Sequence, residues 1–125
     1  MKILVVDDER DIQTLFEQRF RKEIKDKTLV FAFAFSGEEA LAYLNLHEHE
    51  AVLILSDINM PGMSGLELLR QIKQTYHKPP PVVMMITAYG DAENFNTAKE
   101  LGADDFLTKP VDFKVLKETI AVYHL

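Results

Sequence analysis

The chain has 125 residues, 47% of them hydrophobic, which is enough for one ordinary domain to bury a core without staples. It contains no cysteine, so disulfides, thiol catalysis and thiolate metal sites are excluded, a composition compatible with a reducing compartment. Twenty acidic against 14 basic residues give a net charge of -6, which disfavours nucleic acid or anionic membrane as a direct partner.

The start, MKILVVDDE, turns acidic too soon for a signal peptide, and no apolar run approaches the roughly 20 residues of a membrane span. A soluble, cytoplasmic protein is expected. Short apolar runs then alternate with amphipathic stretches, the pattern of repeated strand and helix units joined by right-handed crossovers, and the spacing predicts five of each. Lys2 to Val6 reads as the first strand. Glu9 to Ile24 reads as a helix, because Ile12, Leu15, Phe16, Phe20 and Ile24 recur at helical spacing. Leu29 to Phe35 follows as a strand in which Phe31, Phe33 and Phe35 alternate with Ala32 and Ala34, as suits a sheet edge. Ser36 caps a helix to about Leu46, with Glu39 completing a capping box and Ala40, Leu41 and Leu44 facing inward. Ala51 to Ser56 is the third strand.

The loop from Asp57 to Gly65, DINMPGMSG, carries turn formers that bend the chain before a helix from about Leu66 to Tyr76. Pro79, Pro80 and Pro81 end that helix and lead into Val82 to Thr87, an apolar run suited to a buried central strand. A helix from about Ala92 to Leu101 stops at Gly102, and Asp105 to Thr108 forms the last strand. Asp112 caps a final helix with Val115, Leu116 and Ile120 inward. No repeat, linker or low-complexity tract interrupts the sequence.

Polar residues close four of the strands: Asp7 and Asp8 after ILVV, Asp57 after AVLILS, Thr87 after VVMMI, and Lys109 after FLT. A parallel sheet gathers them at one edge, and in open α/β sheets ligands bind beyond the carboxyl ends of the strands. One polar site with three carboxylates, a hydroxyl and an amine is the expectation. Singly, each has a plainer reading as a helix-start acid, a turn cap or a solvated lysine. Together they do not. His47 and His49 in HEHE lack any ligand framework around them and read as a charged helix end.

The blocks VVDDE at 5–9, SDINMPGMSG at 56–65, ITA at 86–88 and GADDFLTKP at 102–110 carry a family likeness. In them the chain resembles a CheY-like receiver domain of a two-component response regulator, from Lys2 to about Tyr123, so that residues 1–125 form a single receiver domain. The resemblance implies a flavodoxin-like (βα)5 doubly wound parallel sheet of strand order 2-1-3-4-5. It also implies that Asp57 takes a phosphoryl group from the phosphohistidine of a sensor histidine kinase or phosphotransfer protein. Apart from its own phosphorylation and dephosphorylation, such a domain is not an enzyme.

Charge argues the same way. Two carboxylates about 4 Å apart repel by roughly 4 kcal/mol at an effective dielectric near 20, so Asp7, Asp8 and Asp57 need cations beside them. Lys109 supplies one charge, and oxygen-only ligands suit Mg²⁺ for the rest. By resemblance Asp8 and Asp57 bind the ion directly, Asp7 through water, and the backbone carbonyl of Asn59 adds a ligand. Lys109 and Thr87 then contact the phosphoryl group, for which the small Ala88 leaves room. Thr87 acts as sensor and Phe106 as the aromatic that follows it, while Asn59 and Tyr89 flank the path of a hydrolytic water and tune the lifetime. The fourth helix, last strand and fifth helix, roughly Ala92 to Tyr123, form the surface that an output domain, a partner protein or a second copy in a homodimer reads. The Lys109–Pro110 peptide is usually cis in the family.

Two rival classes stand beside this one. A phosphatase of the haloacid dehalogenase type also uses an aspartate nucleophile, but wants a second Asp where this chain has Asn59. A phosphorylation-independent pseudo-receiver, serving only as an interaction module, usually lacks one of the five site residues, and all are here. Whether the chain stands alone or is cut from a longer regulator is left open by the sequence. The final helix has no arginine, unlike its counterpart in many winged-helix regulators.

Overall fold

Successive side chains of a strand point to opposite faces, so strands that are apolar throughout must be covered on both sides. The computed structural model, which describes residues 1–47, 50, 53–76, 81–88 and 90–123, shows that arrangement. Strands β1 (Lys2–Val6), β2 (Val30–Ala34), β3 (Leu53–Asp57), β4 (Val82–Thr87) and β5 (Asp105–Thr108) form one parallel sheet in the order β2-β1-β3-β4-β5. The connecting helices are α1 (Asp11–Arg19), α2 (Arg21–Lys25), α3 (Gly37–Leu46), α4 (Gly65–Thr75), α5 (Ala92–Glu100) and α6 (Phe113–Tyr123). This is the flavodoxin-like α/β fold expected from the sequence. Ile3, Val5, Leu55, Met84 and Ile86 meet Phe16, Phe20 and Leu116 on one face of the sheet. On the other, Leu4, Val6, Ile54, Val83 and Met85 meet Leu44, Leu68, Leu69 and Ile72.

The first helical stretch departs from expectation. It is interrupted at Phe20 (φ -110°, ψ 23°), giving six helices among the described residues where five were expected. Neither proline nor glycine marks the break. Phe20 is fully buried, with ring centroids 5.8 Å from Phe16, 4.9 Å from Phe31 and 6.0 Å from Phe113. Leu15 and Ile24, expected on the inner face, are each 36% exposed. Val115 in α6 also faces outward, while Leu116 and Ile120 are buried as expected.

Caps position the helices. Ser36 Oγ accepts from Glu39 N at 3.0 Å, but Glu39 Oε1 accepts from Phe35 N rather than from the cap residue's own N–H, so the capping box is displaced by one residue. Ser64 accepts from Glu67 N, Asp91 from Asn94 N, and Asp112 from Lys114 N and Val115 N. The third strand begins at Leu53; residues 51 and 52 of its expected span lie outside the described residues. No helix among the described residues is long and apolar enough to cross a membrane.

Candidate functional site

The parallel register brings the strand ends together: Val6 pairs with both Ala34 and Ser56, Asp57 with Ile86, and Thr87 with Thr108. Just past β1, Asp7 N donates to Ala34 O at 3.1 Å, which holds Asp7 in line with the strand and leaves it 6% exposed. Asp8, the next residue, turns outward and is exposed. Asp57 is the last residue of β3 and only 2% exposed. One carboxylate oxygen from each of these three aspartates lies within 4.8 Å of the others.

Each buried carboxylate turns the chain that leaves its strand. Asp7 Oδ1 accepts from Glu9 N at 2.9 Å, and Asp57 Oδ1 accepts from Asn59 N at 3.2 Å, both two residues on, as in Asx turns. Lys109 extends β5, its N donating to Thr87 O at 2.8 Å, and its ammonium reaches across to donate to Asp57 Oδ2 at 2.8 Å. The Lys109–Pro110 peptide is cis. Thr87, 5% exposed, donates its hydroxyl to Leu107 O at 3.4 Å.

Electrostatics follow from this crowding. Burial pushes the Asp7 carboxyl above its ordinary range and the charges of Asp57 and Asp8 add to that, opposed by the Glu9 N–H and the Lys109 ammonium. Burial pulls Lys109 down, but its hydrogen bond to Asp57 and the charges of Asp57, Asp7 and Glu9 outweigh that and raise it. Three carboxylates against one ammonium leave a residual charge of about -2 when all are ionised. An oxygen-only donor set in which Asp7 resists ionising fits a hard divalent cation.

The structure thus brings together Asp7, Asp8, Asp57 and Lys109, with Thr87 at the next strand end and Asn59 against Asp57. Phe106 is half-buried on β5, its ring centroid 4.3 Å from that of Phe95 on α5. Tyr89 lies outside the described residues, as does His49. His47 Nδ1 lies 2.8 Å from Glu50 Oε2 near the entrance to the sheet, away from the aspartates. A groove of about 560 Å³ opens from Asp7 and Lys109 onto Ile12, Leu15, Arg19 and Phe113.

Two contributors escape sequence reasoning. Gly65 reads as a turn former, yet a Cβ there would lie 2.0 Å from Asp57 O, so its smallness bears on the site itself. Nothing in its sequence context marks Phe95; only the fold places it on Phe106.

The sequence profile of the response regulator receiver domain matches residues 3–121. Solved structures agree in fold. Chemotaxis protein CheY4 of Vibrio cholerae is 28% identical at a TM-score of 0.79, over 98% of this chain and 97% of that one. The receiver domain of NtrX from Brucella abortus is 32% identical at a TM-score of 0.80, over 98% and 97% of the two chains. A response regulator receiver domain protein from Clostridium thermocellum is 29% identical at 0.84, over 98% and 93%.

Proposed function

The chain belongs to the response regulator receiver domain family of two-component signalling, and from that membership we propose that Asp57 is its phosphoacceptor. The observation that carries the assignment is the buried Asp57 carboxylate held at 2.8 Å by Lys109 inside a trio of aspartates. A carboxylate is a weak nucleophile, but phosphoryl transfer asks mainly for positioning and for neutralisation of the transferring oxygens. On this reading an Asp57 oxygen bonds to the phosphorus of a partner's phosphohistidine as the P–N bond breaks. The bonding pair stays on the imidazole nitrogen, and the product is an aspartyl phosphate.

The chain's own groups divide the work. The Asn59 N–H fixes one Asp57 oxygen, leaving the other on Lys109. The Lys109 ammonium is then beside the phosphoryl oxygens as they arrive. Asp7, Asp8 and Asp57, with the Asn59 carbonyl, would hold Mg²⁺, which supplies positive charge to the same oxygens when bound. The groove beside Asp7 and Lys109 receives the donor, a histidine kinase or phosphotransfer protein, in the cytoplasm.

Readout passes through Thr87. To contact the phosphoryl group its hydroxyl leaves Leu107 O, and the state in which it has done so is the one phosphorylation favours. Phe106 follows, changing the surface of α5, β5 and α6 presented to an output domain or a second copy. Asn59 and Tyr89 set how readily water reaches the aspartyl phosphate. Retention of all five site residues speaks against a phosphorylation-independent scaffold. Incubation with a labelled phosphorylated kinase and Mg²⁺ should label the protein but not Asp57→Asn; label on the variant would overturn the assignment.

A further inference from the structure

Thr87 pairs with Thr108, and Met85 with Phe106, in the β4–β5 ladder. Because strand side chains alternate, Thr87 and Phe106 stand on the same face of the sheet one pleat apart, the face that carries Ala98 of α5. Burial does not account for Phe95 in that helix. Ala98 is fully buried there, whereas Phe95 is 38% exposed and lies on the rim. Its ring meets Phe106 at 4.3 Å between centroids, tilted by 43°. It also bounds a cleft of about 330 Å³ whose lining includes Thr87, Ala88 and Thr108. One rim side chain therefore touches the switching aromatic and borders the space beside the sensing hydroxyl.

We propose that Phe95 is the positioning residue of the switch, holding Phe106 on α5 until Thr87 is drawn to the phosphoryl group. The inference rests on the roles assigned above to Thr87 and Phe106 and adds the element that sets their resting balance. On this proposal the ring contact is given up when Phe106 moves, so its whole contribution counts toward the resting state. A well-placed aromatic pair changes such a population roughly 2- to 12-fold. A ligand that requires the other position loses apparent affinity by up to the same factor.

Beryllofluoride with Mg²⁺, a mimic of the aspartyl phosphate, reads this directly on the full chain. Phe95→Leu keeps apolar bulk and removes the ring, and Phe95→Ala removes both. Phe95→Leu should bind beryllofluoride about 2- to 12-fold more tightly than the wild type, with no such gain when Phe106→Leu is already present. A second reading needs neither metal nor mimic: in the free Phe95→Leu protein the χ1 couplings of Phe106 should move away from those of a single rotamer. Unchanged or weaker beryllofluoride binding, the same gain in the Phe106→Leu background, or unaltered Phe106 couplings would each overturn the role of Phe95. A wild type that binds no beryllofluoride fails the phosphoacceptor reading itself, and the Phe106 couplings still decide whether Phe95 holds that ring.

Discussion

A Cβ on Gly65 would lie 2.0 Å from the backbone oxygen of Asp57 and 2.9 Å from its carbonyl carbon, so the first residue of α4 fixes the end of β3 from behind. The contact is backbone against backbone, with Gly65 N donating to Ile58 O at 2.8 Å, and no flexible side chain can yield. Gly65→Ala must move either α4 or the end of β3. Overpacking of this kind costs about 1–3 kcal/mol, and the displaced Asp57 no longer meets Lys109 in the same place. The expected result is a lower urea midpoint together with slower phosphorylation, measured well below the variant's melting temperature. Wild-type stability in Gly65→Ala would show that the chain relaxes freely here.

Asp7 is held against its own ionisation. Burial raises its carboxyl above the ordinary value of 3.8 and the Asp57 charge adds to that. A carboxyl raised in the folded state contributes most below its unfolded pKa, and that contribution is lost as pH rises through the folded value. At neutral pH without divalent ions, Asp7→Asn should therefore melt at a higher temperature than the wild type. The gap should close as pH falls below 3.8, where both chains carry an uncharged residue. Magnesium should reverse the order, since a ligand at 100 times its dissociation constant stabilises by about 2.7 kcal/mol and the variant lacks one carboxylate of the proposed metal site. Thermal melts across pH, with EDTA and with Mg²⁺, check both halves.

A second carboxylate works at the far end of the sheet. Asp104 Oδ2 accepts from Val83 N and from Lys73 Nζ, both at 2.8 Å, while Asp104 N donates to Val83 O at 2.8 Å. Val83 is 1% exposed, so its N–H finds no ready substitute in water. Asp104→Ala should cost about 1–3 kcal/mol, the penalty for a buried donor left unpaired. Asp104→Asn, which keeps an acceptor oxygen, should recover most of it. Hydrogen exchange at the Val83 amide should quicken in the alanine variant alone; equal exchange in all three proteins would deny Asp104 this role.

The convergence of Asp7, Asp57, Thr87 and Lys109 was legible because each closes a short apolar run, and parallel pairing forces such ends to one edge. Strand limits at Lys2–Val6, Val82–Thr87 and Asp105–Thr108 were legible for the same reason. What escaped depends on contacts between distant residues. The break at Phe20 coincides with its seat among Phe16, Phe31 and Phe113, and no local breaker announces it. Val115 follows the apolar period of its helix yet faces outward, because hydrophobicity does not say where the sheet ends and solvent begins. The proximity of Gly65 to Asp57 and of Phe95 to Phe106 likewise appears only once α4 and α5 are laid on the sheet.

Lys109 separates charge from packing most cleanly. Burial lowers its pKa, but the hydrogen bond to Asp57 and the surrounding acids carry it above the ordinary 10.5. A raised lysine contributes stability that is fully present below 10.5 and lost as pH climbs through the folded value. Lys109→Met keeps the apolar stem and deletes the ammonium, leaving the three aspartates without it. The Lys109 side chain is 41% exposed, so the cost is smaller than for a fully buried pair, about 1–2 kcal/mol at neutral pH. The stability difference between wild type and variant should shrink as pH rises above 10.5, since other titrating groups are common to both. On the proposed function, losing the Lys109 ammonium should also slow phosphorylation roughly a hundredfold. Asp7→Asn in the same chain should restore stability by relieving repulsion, but not the rate, because it returns no positive charge to the phosphoryl oxygens. A double variant recovering both would mean that Lys109 acts only by balancing charge in the resting protein.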